Sequence, residues 1–340
     1  MTKTIWAIAV GLLLSFVITT GWKELSLKAS NDLTPNVDES TIVIGYSNWS
    51  GWWPWAIAES EGLFAKHGAN VELKWYDDYT KSLEDLAVGH IDGNCQTLSD
   101  TISFAVSAPI DEVVVLVNDN SAGNDKIIAA DGIDEVKELK NKQIALEAGI
   151  VEDFLLTLAL EREGLIRKDV DIIDVETGAA VEAFVAGQVE AVGAFAPFWR
   201  TALEREGATE IVSSKDFPGA IPDLLVVTQE SIDERPNEIQ AIVDTWFDVL
   251  NFMSAHPQKA NRIMAERAGI NRQELQLFKA KTKMFSLSDN LETFSEGNNM
   301  KYLPYAALKI ANFLQKNKFI EEKPDLNRLL NSTFVEAVKL

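Results

Sequence analysis

Two stretches of the chain answer one another: "SEGLFAKHGANVEL" (60–73) and "REGLIRKDVDIIDV" (162–175). Each ends a helix at Glu-Gly-Leu and then runs into an apolar strand. The echo continues, because "LEDLAVGHIDGN" (83–94) is matched by "VEAFVAGQVEAVG" (181–193), where a second helix stops at glycine before a further strand. A repeated unit of this kind predicts two related α/β units facing one another. Their cleft then lies at the carboxyl ends of the strands, where such sheets bind ligands. At 340 residues the chain exceeds what one core holds comfortably, which agrees with two lobes.

Outward from the echo the same alternation holds. "TIVIGY" (41–46), "VELKWY" (71–76), "VVVLVND" (113–119), "QIALEA" (143–148), "VDIIDV" (170–175), "AVGAFA" (191–196) and "LLVVT" (224–228) read as strands. A helix over 54–66 opens at Pro54 and stops near Gly68, and another runs from Thr80 to Val88. From Pro236 onward the chain reads as almost wholly helical, including Pro236 to His256. The pattern is an α/β fold with mostly parallel sheets and a helical C-terminal tail.

The N-terminus carries an address. Lys3 precedes an apolar run from Ile5 to Ile18, which predicts a secretory signal over 1–29 cleaved after Ala29. The uncharged stretch from Thr4 to Trp22 equally allows an uncleaved membrane anchor. No cysteine stands near its end, so a lipoprotein anchor is excluded. Either way the body of the protein is expected outside the cytoplasm, periplasmic or otherwise extracytoplasmic, with 30–40 as a polar linker.

Formal net charge is −21, from 52 acidic against 31 basic residues. Such a surface repels nucleic acid and anionic membranes and favours cationic ligands. Cys95 is the single cysteine, which excludes a disulfide framework or a cysteine-based zinc site and reads as a buried small apolar residue. His67, His90 and His256 lie far apart without ligand spacing. Neither a metal nor a cofactor is expected.

Beyond these readings, the segments "AIAESEGLFAKHGANVEL" (56–73), "LAVGHIDGN" (86–94), "VKELKNKQIALEAG" (136–149), "AAVEAFVAGQVEAVGAFAP" (179–197) and "LLVVTQESIDERPNEIQAIV" (224–243) resemble the substrate-binding proteins of nitrate/sulfonate/taurine-type ABC importers. The resemblance runs over 41–260. It implies a two-lobed periplasmic-binding-protein fold of type II, the Venus flytrap, with 41–128 and 223–340 as lobe 1 and 129–222 as an inserted lobe 2. It implies a monomer that captures a small solute without chemistry and delivers it to ABC permease and ATPase subunits. Nearest in pattern is the branch associated with urea-carboxylase and guanidine-degrading systems. That branch is similar at "GWWPW" (51–55), at Asp78-Tyr79, at "DGNCQTLSD" (92–100) and at "AGND" (122–125), the last read as a turn near the hinge.

One departure bears on the ligand. Members that bind oxyanions place Gly-Ser-Thr at the start of the helix after the first strand of lobe 2, where hydroxyls and free N–H groups hold the anion. Here the matching residues are Gly149-Ile150-Val151, followed by Glu152 and Asp153. Hydrocarbon and two carboxylates disfavour an anion. A small planar cation stacks on indole and pairs with carboxylates instead, and four of the nine tryptophans fall within 49–55. The candidate substrate-binding residues are therefore Trp49, Trp52, Trp53, Asp78, Asp100, Glu147, Glu152, Phe195 and Trp199, with Asp78, Asp100 and Glu147 foremost as carboxylate partners. Each has a plainer reading: Asp78 as a turn residue, Asp100 as a helix cap, Glu152 and Asp153 as stabilisers of a helix's first turn. Trp55 is expected in the core.

Guanidinium is the expected ligand. The alternative is a neutral or anionic solute, such as urea, taurine, an aliphatic sulfonate or nitrate, in the same importer class. A remote alternative is an enzyme similar to the pyrimidine-precursor synthases of thiamine biosynthesis. Those rely on a cysteine-rich motif and a histidine, so a chain with one cysteine and no nucleophile–base pair is not expected to be an enzyme.

Overall fold

The structure, a computed structural model, describes residues 41–339. The signal or anchor expected over 1–29 lies outside the described residues. The apolar runs become strands covered on both faces, as runs without polar alternation must be. In the first sheet β1 (Ile42–Ser47) lies between β2 (Val71–Tyr76) and β3 (Gly93–Thr97), parallel to both. The long β4 (Glu112–Ser121) completes this part of the sheet.

The chain then enters the second sheet with β5 (Lys126–Ala129). There β6 (Gln143–Leu146) runs parallel to β7 (Asp171–Asp174) and β8 (Ala191–Ala194), while β5 pairs antiparallel with β8 and with β9 (Thr209–Ser213). Returning, β10 (Pro222–Thr228) inserts antiparallel between β3 and β4, and β11 (Thr282–Met284) forms the edge. The orders β2-β1-β3-β10-β4 and β7-β6-β8-β5-β9 are one arrangement built twice, which is what the sequence echo encodes.

Two sequence expectations need correction. The crossing to the second sheet was placed near 129, but β5 already belongs to that sheet, so the chain crosses within 122–125. The helix over 54–66 is two helices, α1 (Trp55–Ser60) and α2 (Leu63–His67), separated at Gly62, whose φ of 65° is left-handed. The strand expected after the second helix is β3, "GNCQT", polar in composition and yet fully buried. Its side-chain N–H groups find partners on neighbouring elements: Asn94 donates to Ser82 at 3.0 Å, and Gln96 to Thr101 and Glu112 at 3.1 and 3.0 Å. A polar strand can be central when every amide finds a partner.

Helices cover both sheets: α3 (Tyr79–Ala87), α4 (Leu98–Ala105), α5 (Val151–Arg162), α6 (Thr177–Val185), α7 (Phe198–Ala202) and α8 (Gln229–Glu234). The C-terminal part is helical as read, beginning with α9 (Pro236–Ala255), which carries proline in its first turn. Trp246 of α9 meets Trp55 of α1 with ring centroids 4.6 Å apart, and Trp55 stacks on Phe64 at 5.8 Å. Trp55 is core, and it anchors the tail under the tryptophan-rich loop. Among the described residues no helix is long and apolar enough to cross a membrane.

Candidate functional site

The carboxyl ends of the parallel strands in both sheets converge on one small cavity. From the first sheet come Ser47 at the end of β1, Trp49 and Trp52 in the loop after it, Tyr79 at the start of α3 and Thr97 at the end of β3. Asp223 joins them because β10 runs antiparallel and pairs Asp223 with Thr97. The second sheet contributes Val151 in the first turn of α5, Phe195 just after β8, and Asp125 just before β5. The cavity is small, with room for about one water molecule. None of these lining residues is basic.

Trp49 and Tyr79 are held by their polar ends. Trp49 and Trp52 lie 6.2 Å apart at 59°, and Trp52 and Tyr79 5.6 Å apart at 36°. The indole N–H of Trp49 donates to Oδ1 of Asp119 at 3.2 Å. The Tyr79 hydroxyl donates to Oδ2 of Asp100 at 2.9 Å and accepts from the Thr97 N–H at 3.0 Å. Both rings therefore stand in place before any ligand arrives.

Behind and beside the rings lies an acidic cluster: Asp100, Asp119, Asp125, Glu152 and Asp223 are all buried. Both Glu152 carboxyl oxygens and Oδ2 of Asp119, Asp125 and Asp223 accept from no hydrogen-bond donor. Asp119 and Asp223 are cross-strand partners on β4 and β10, and the side chain of Asp125 lies beside that of Glu152. Burial pushes Asp100 up to about 7, Asp119 to about 8 and Asp125 to about 6, and drives Glu152 and Asp223 well above the carboxylate range. Neighbouring carboxyls add to the rise of Glu152 and Asp223; Asp119 is raised by Asp125 but lowered by its hydrogen bonds with Asp223 and Trp49, and Asp100 is raised by Glu147 but lowered by Thr97 and Tyr79. At Asp125 burial alone raises, against Ser121, Lys126 and the hydrogen bond with Glu152. The nearest cation is Lys126, buried, paired with Glu210 and 4.8 Å from the Trp199 ring centroid. Its ion pair is with Glu210, and its charge also pulls Asp125 down.

Two glycines make room for these acids. A methyl group on Gly51 would sit 1.8 Å from Oδ2 of Asp119, and one on Gly193 would sit 2.8 Å from the Cβ of Glu152. The glycine of "GWWPW" thus exists to let a carboxyl approach the loop backbone.

Of the residues expected from sequence, Trp49, Trp52 and Phe195 line the cavity, and Glu152 and Asp100 stand in the cluster around it. Glu147 spans the two sheets: Thr80 of α3 donates to it at 2.8 Å, and the Thr177 N–H and hydroxyl donate at 2.7 and 2.8 Å. Three residues fall elsewhere. The Trp53 ring packs on Phe278 at 6.0 Å with its N–H on Asn48. Trp199 packs edge-on against the same Phe278 at 5.4 Å, beneath Lys126. Asp78 is exposed and caps α3, accepting the Lys81 N–H at 3.2 Å.

Asp78→Ala is accordingly expected to cost about 1 kcal/mol of stability as a lost helix cap, measured by denaturant unfolding, with solute affinity unchanged. Asp153, by contrast with Glu152, is neutralised by Arg167 at 2.6 Å and accepts the Gly149 N–H.

Sequence reading missed Asp119, Asp125, Asp223 and Tyr79. Asp125 lies in "AGND", which read as a turn. Asp223 opens the apolar strand "PDLLVVT", an unpaired charge on a buried run, and that is the signal by which it could have been found.

Known proteins share this architecture. The chain is 26% identical over 244 residues to a binding protein of Brucella abortus (strain 2308), covering 70% of this chain and 75% of that protein. It is 23% identical over 208 residues to the taurine-binding periplasmic protein of Escherichia coli (strain K12), covering 60% and 64%. The crystal structure of the periplasmic aliphatic sulphonate binding protein SsuA from Escherichia coli superposes with a TM-score of 0.71 at 19% identity, over 88% of this chain and 95% of that one. The fold is therefore the two-lobed periplasmic-binding-protein fold. Matched over residues 36–269, more than half its length, the chain belongs to the NMT1-like family.

Proposed function

We propose that this protein is the extracytoplasmic solute-binding component of an ABC importer and that its ligand is a small cation, with guanidinium the best fit. One observation carries the reading: a cavity lined by four aromatic rings and two carboxyls, each with one oxygen that accepts from no donor, without a basic residue. Guanidinium offers N–H donors in one plane and two open π faces, so it can stack on indole while forking onto carboxylates at its edge. As it stands the cavity has room for about one water molecule, so a ligand of a few heavy atoms enters only as the walls part. Capture involves no bond-making. Lobe 1 supplies Trp49, Trp52, Tyr79 and Asp223, lobe 2 supplies Phe195 and Glu152, and Asp125 sits where the chain passes between them. A ligand bound from both sides favours the closed form, which a monomer would present to permease and ATPase subunits.

The relatives named for taurine and aliphatic sulfonates raise the second reading, an anionic ligand in the same importer class. At the start of α5 that ligand would meet the hydrocarbon of Val151 and the carboxyl of Glu152, and an anion gains nothing from either. Calorimetric titration with guanidinium chloride, taurine, nitrate and urea separates the readings. Saturable heat from guanidinium alone is the expected result. Saturation by taurine or nitrate instead would establish the anionic reading and overturn this one.

A further inference from the structure

Resting on that reading, the acid cluster carries a second consequence. Six carboxyls are drawn into one buried region: Asp119 on β4, Asp223 on β10, Asp100 on α4, Asp125 before β5, Glu152 on α5 and Glu147 after β6. The other titratable groups facing them are the Tyr79 hydroxyl, which hydrogen-bonds Asp100, the Cys95 thiol and Lys126. Lys126 is held by Glu210, with Lys215 and Lys281 beyond it. Burying several uncompensated carboxylates side by side is prohibitive. Carboxyl oxygens that face one another and accept from no donor are relieved by sharing protons.

We propose that the solute cation enters in exchange for protons: without ligand, the pairs Asp119–Asp223 and Asp125–Glu152 each hold a bridging proton, and the bound cation sends at least one of them to solvent. The exchange balances in charge, one positive charge entering as one leaves, so the buried region never carries the full charge of its carboxylates. Glu147 and Asp100 stay out of the exchange. Glu147 is satisfied by Thr80 and Thr177, and Asp100 by Tyr79.

Two consequences can be measured. Affinity rises with pH, by about tenfold per pH unit for each proton released, over the range in which the pairs ionise. The ligand-free protein behaves oppositely. Its cluster binds more protons folded than unfolded, since the folded groups ionise at about 6 to 8 or higher against 3.8 for an ordinary aspartate. Stability is then full below the unfolded value and falls as pH rises towards the folded ones, so the thermal midpoint declines from pH 5 to pH 8, and saturating guanidinium restores it.

The test is calorimetric titration of the whole protein with guanidinium chloride at pH 7, in buffers of different ionisation enthalpy, repeated from pH 6 to pH 8. The expected result is an apparent enthalpy that varies with buffer, corresponding to about one proton or more released, and a Kd that tightens by about tenfold or more across the range. Glu152→Gln, which cannot share a proton in the same way, should release fewer. Saturable binding with one enthalpy in every buffer and a pH-independent Kd would overturn proton exchange while leaving the cation reading intact. No saturable binding of guanidinium in any buffer would overturn both.

Discussion

Asp223→Asn is expected to weaken guanidinium binding by about thirtyfold or more, and at pH 8 to raise the thermal midpoint of the ligand-free protein. The two effects have one cause. Asp223 is buried, lines the cavity, and its Oδ2 accepts from no donor. For a desolvated cation it is a charge partner, and losing one member of such a pair costs about 2–5 kcal/mol, which is thirtyfold or more in Kd. Without ligand it is a carboxyl facing Asp119 with no counter-ion, held well above the carboxylate range by burial. Its ionisation at pH 8 works against folding, and asparagine removes that penalty. Titration calorimetry gives the first number and a thermal melt the second. A structural residue would lower both.

The second large effect is expected at Gly51. The methyl of Gly51→Ala would fall 1.8 Å from Oδ2 and 2.2 Å from Cγ of Asp119. Asp119 cannot step aside freely, because it is wholly buried, accepts from Trp49 and faces Asp223. Either the carboxyl or the tryptophan loop must move, so Trp49 leaves its place in the cavity wall. The expected outcome is loss of measurable guanidinium binding together with a destabilisation of about 1–3 kcal/mol, the usual cost of overpacking. A denaturant melt and the same titration check it. Wild-type affinity in a folded Gly51→Ala protein would mean that the Trp49–Asp119 contact does not shape the site.

Much of the fold was legible because it rests on period and punctuation. The repeated Glu-Gly-Leu endings marked two copies of one unit, and the apolar runs at 71–76 and 143–148 marked strands at or near their true positions. What escaped was how an element is held by partners distant in sequence. β3 is polar and buried because Ser82, Thr101 and Glu112 satisfy it, and no local pattern announces such partners.

The site divided along the same line. Trp49, Trp52 and Phe195 were found because tryptophan and phenylalanine in strand-end loops point to a cleft, whatever the details. The carboxyls were harder, since an aspartate reads alike in a turn, a cap or a buried pair. Asp78 lies beside Tyr79 in the chain, yet only Tyr79 reaches the cavity, because the first residue of α3 turns inward and its cap turns out. Asp125 and Asp223 stand on strands that run against their neighbours, so their starts, not their ends, meet the cleft. Reading only strand ends overlooks them.

The central claim is that a small cation sits between Trp52 and the carboxyls of Asp125 and Asp223. A crystal structure of the protein grown with guanidinium chloride tests it most directly. The account predicts flat, three-pronged density in this cavity, stacked on indole, with N–H groups about 2.7–3.0 Å from oxygens of Asp125 and Asp223. Density for the cation at another place, with these two carboxyls still turned only towards other carboxyls, would contradict it.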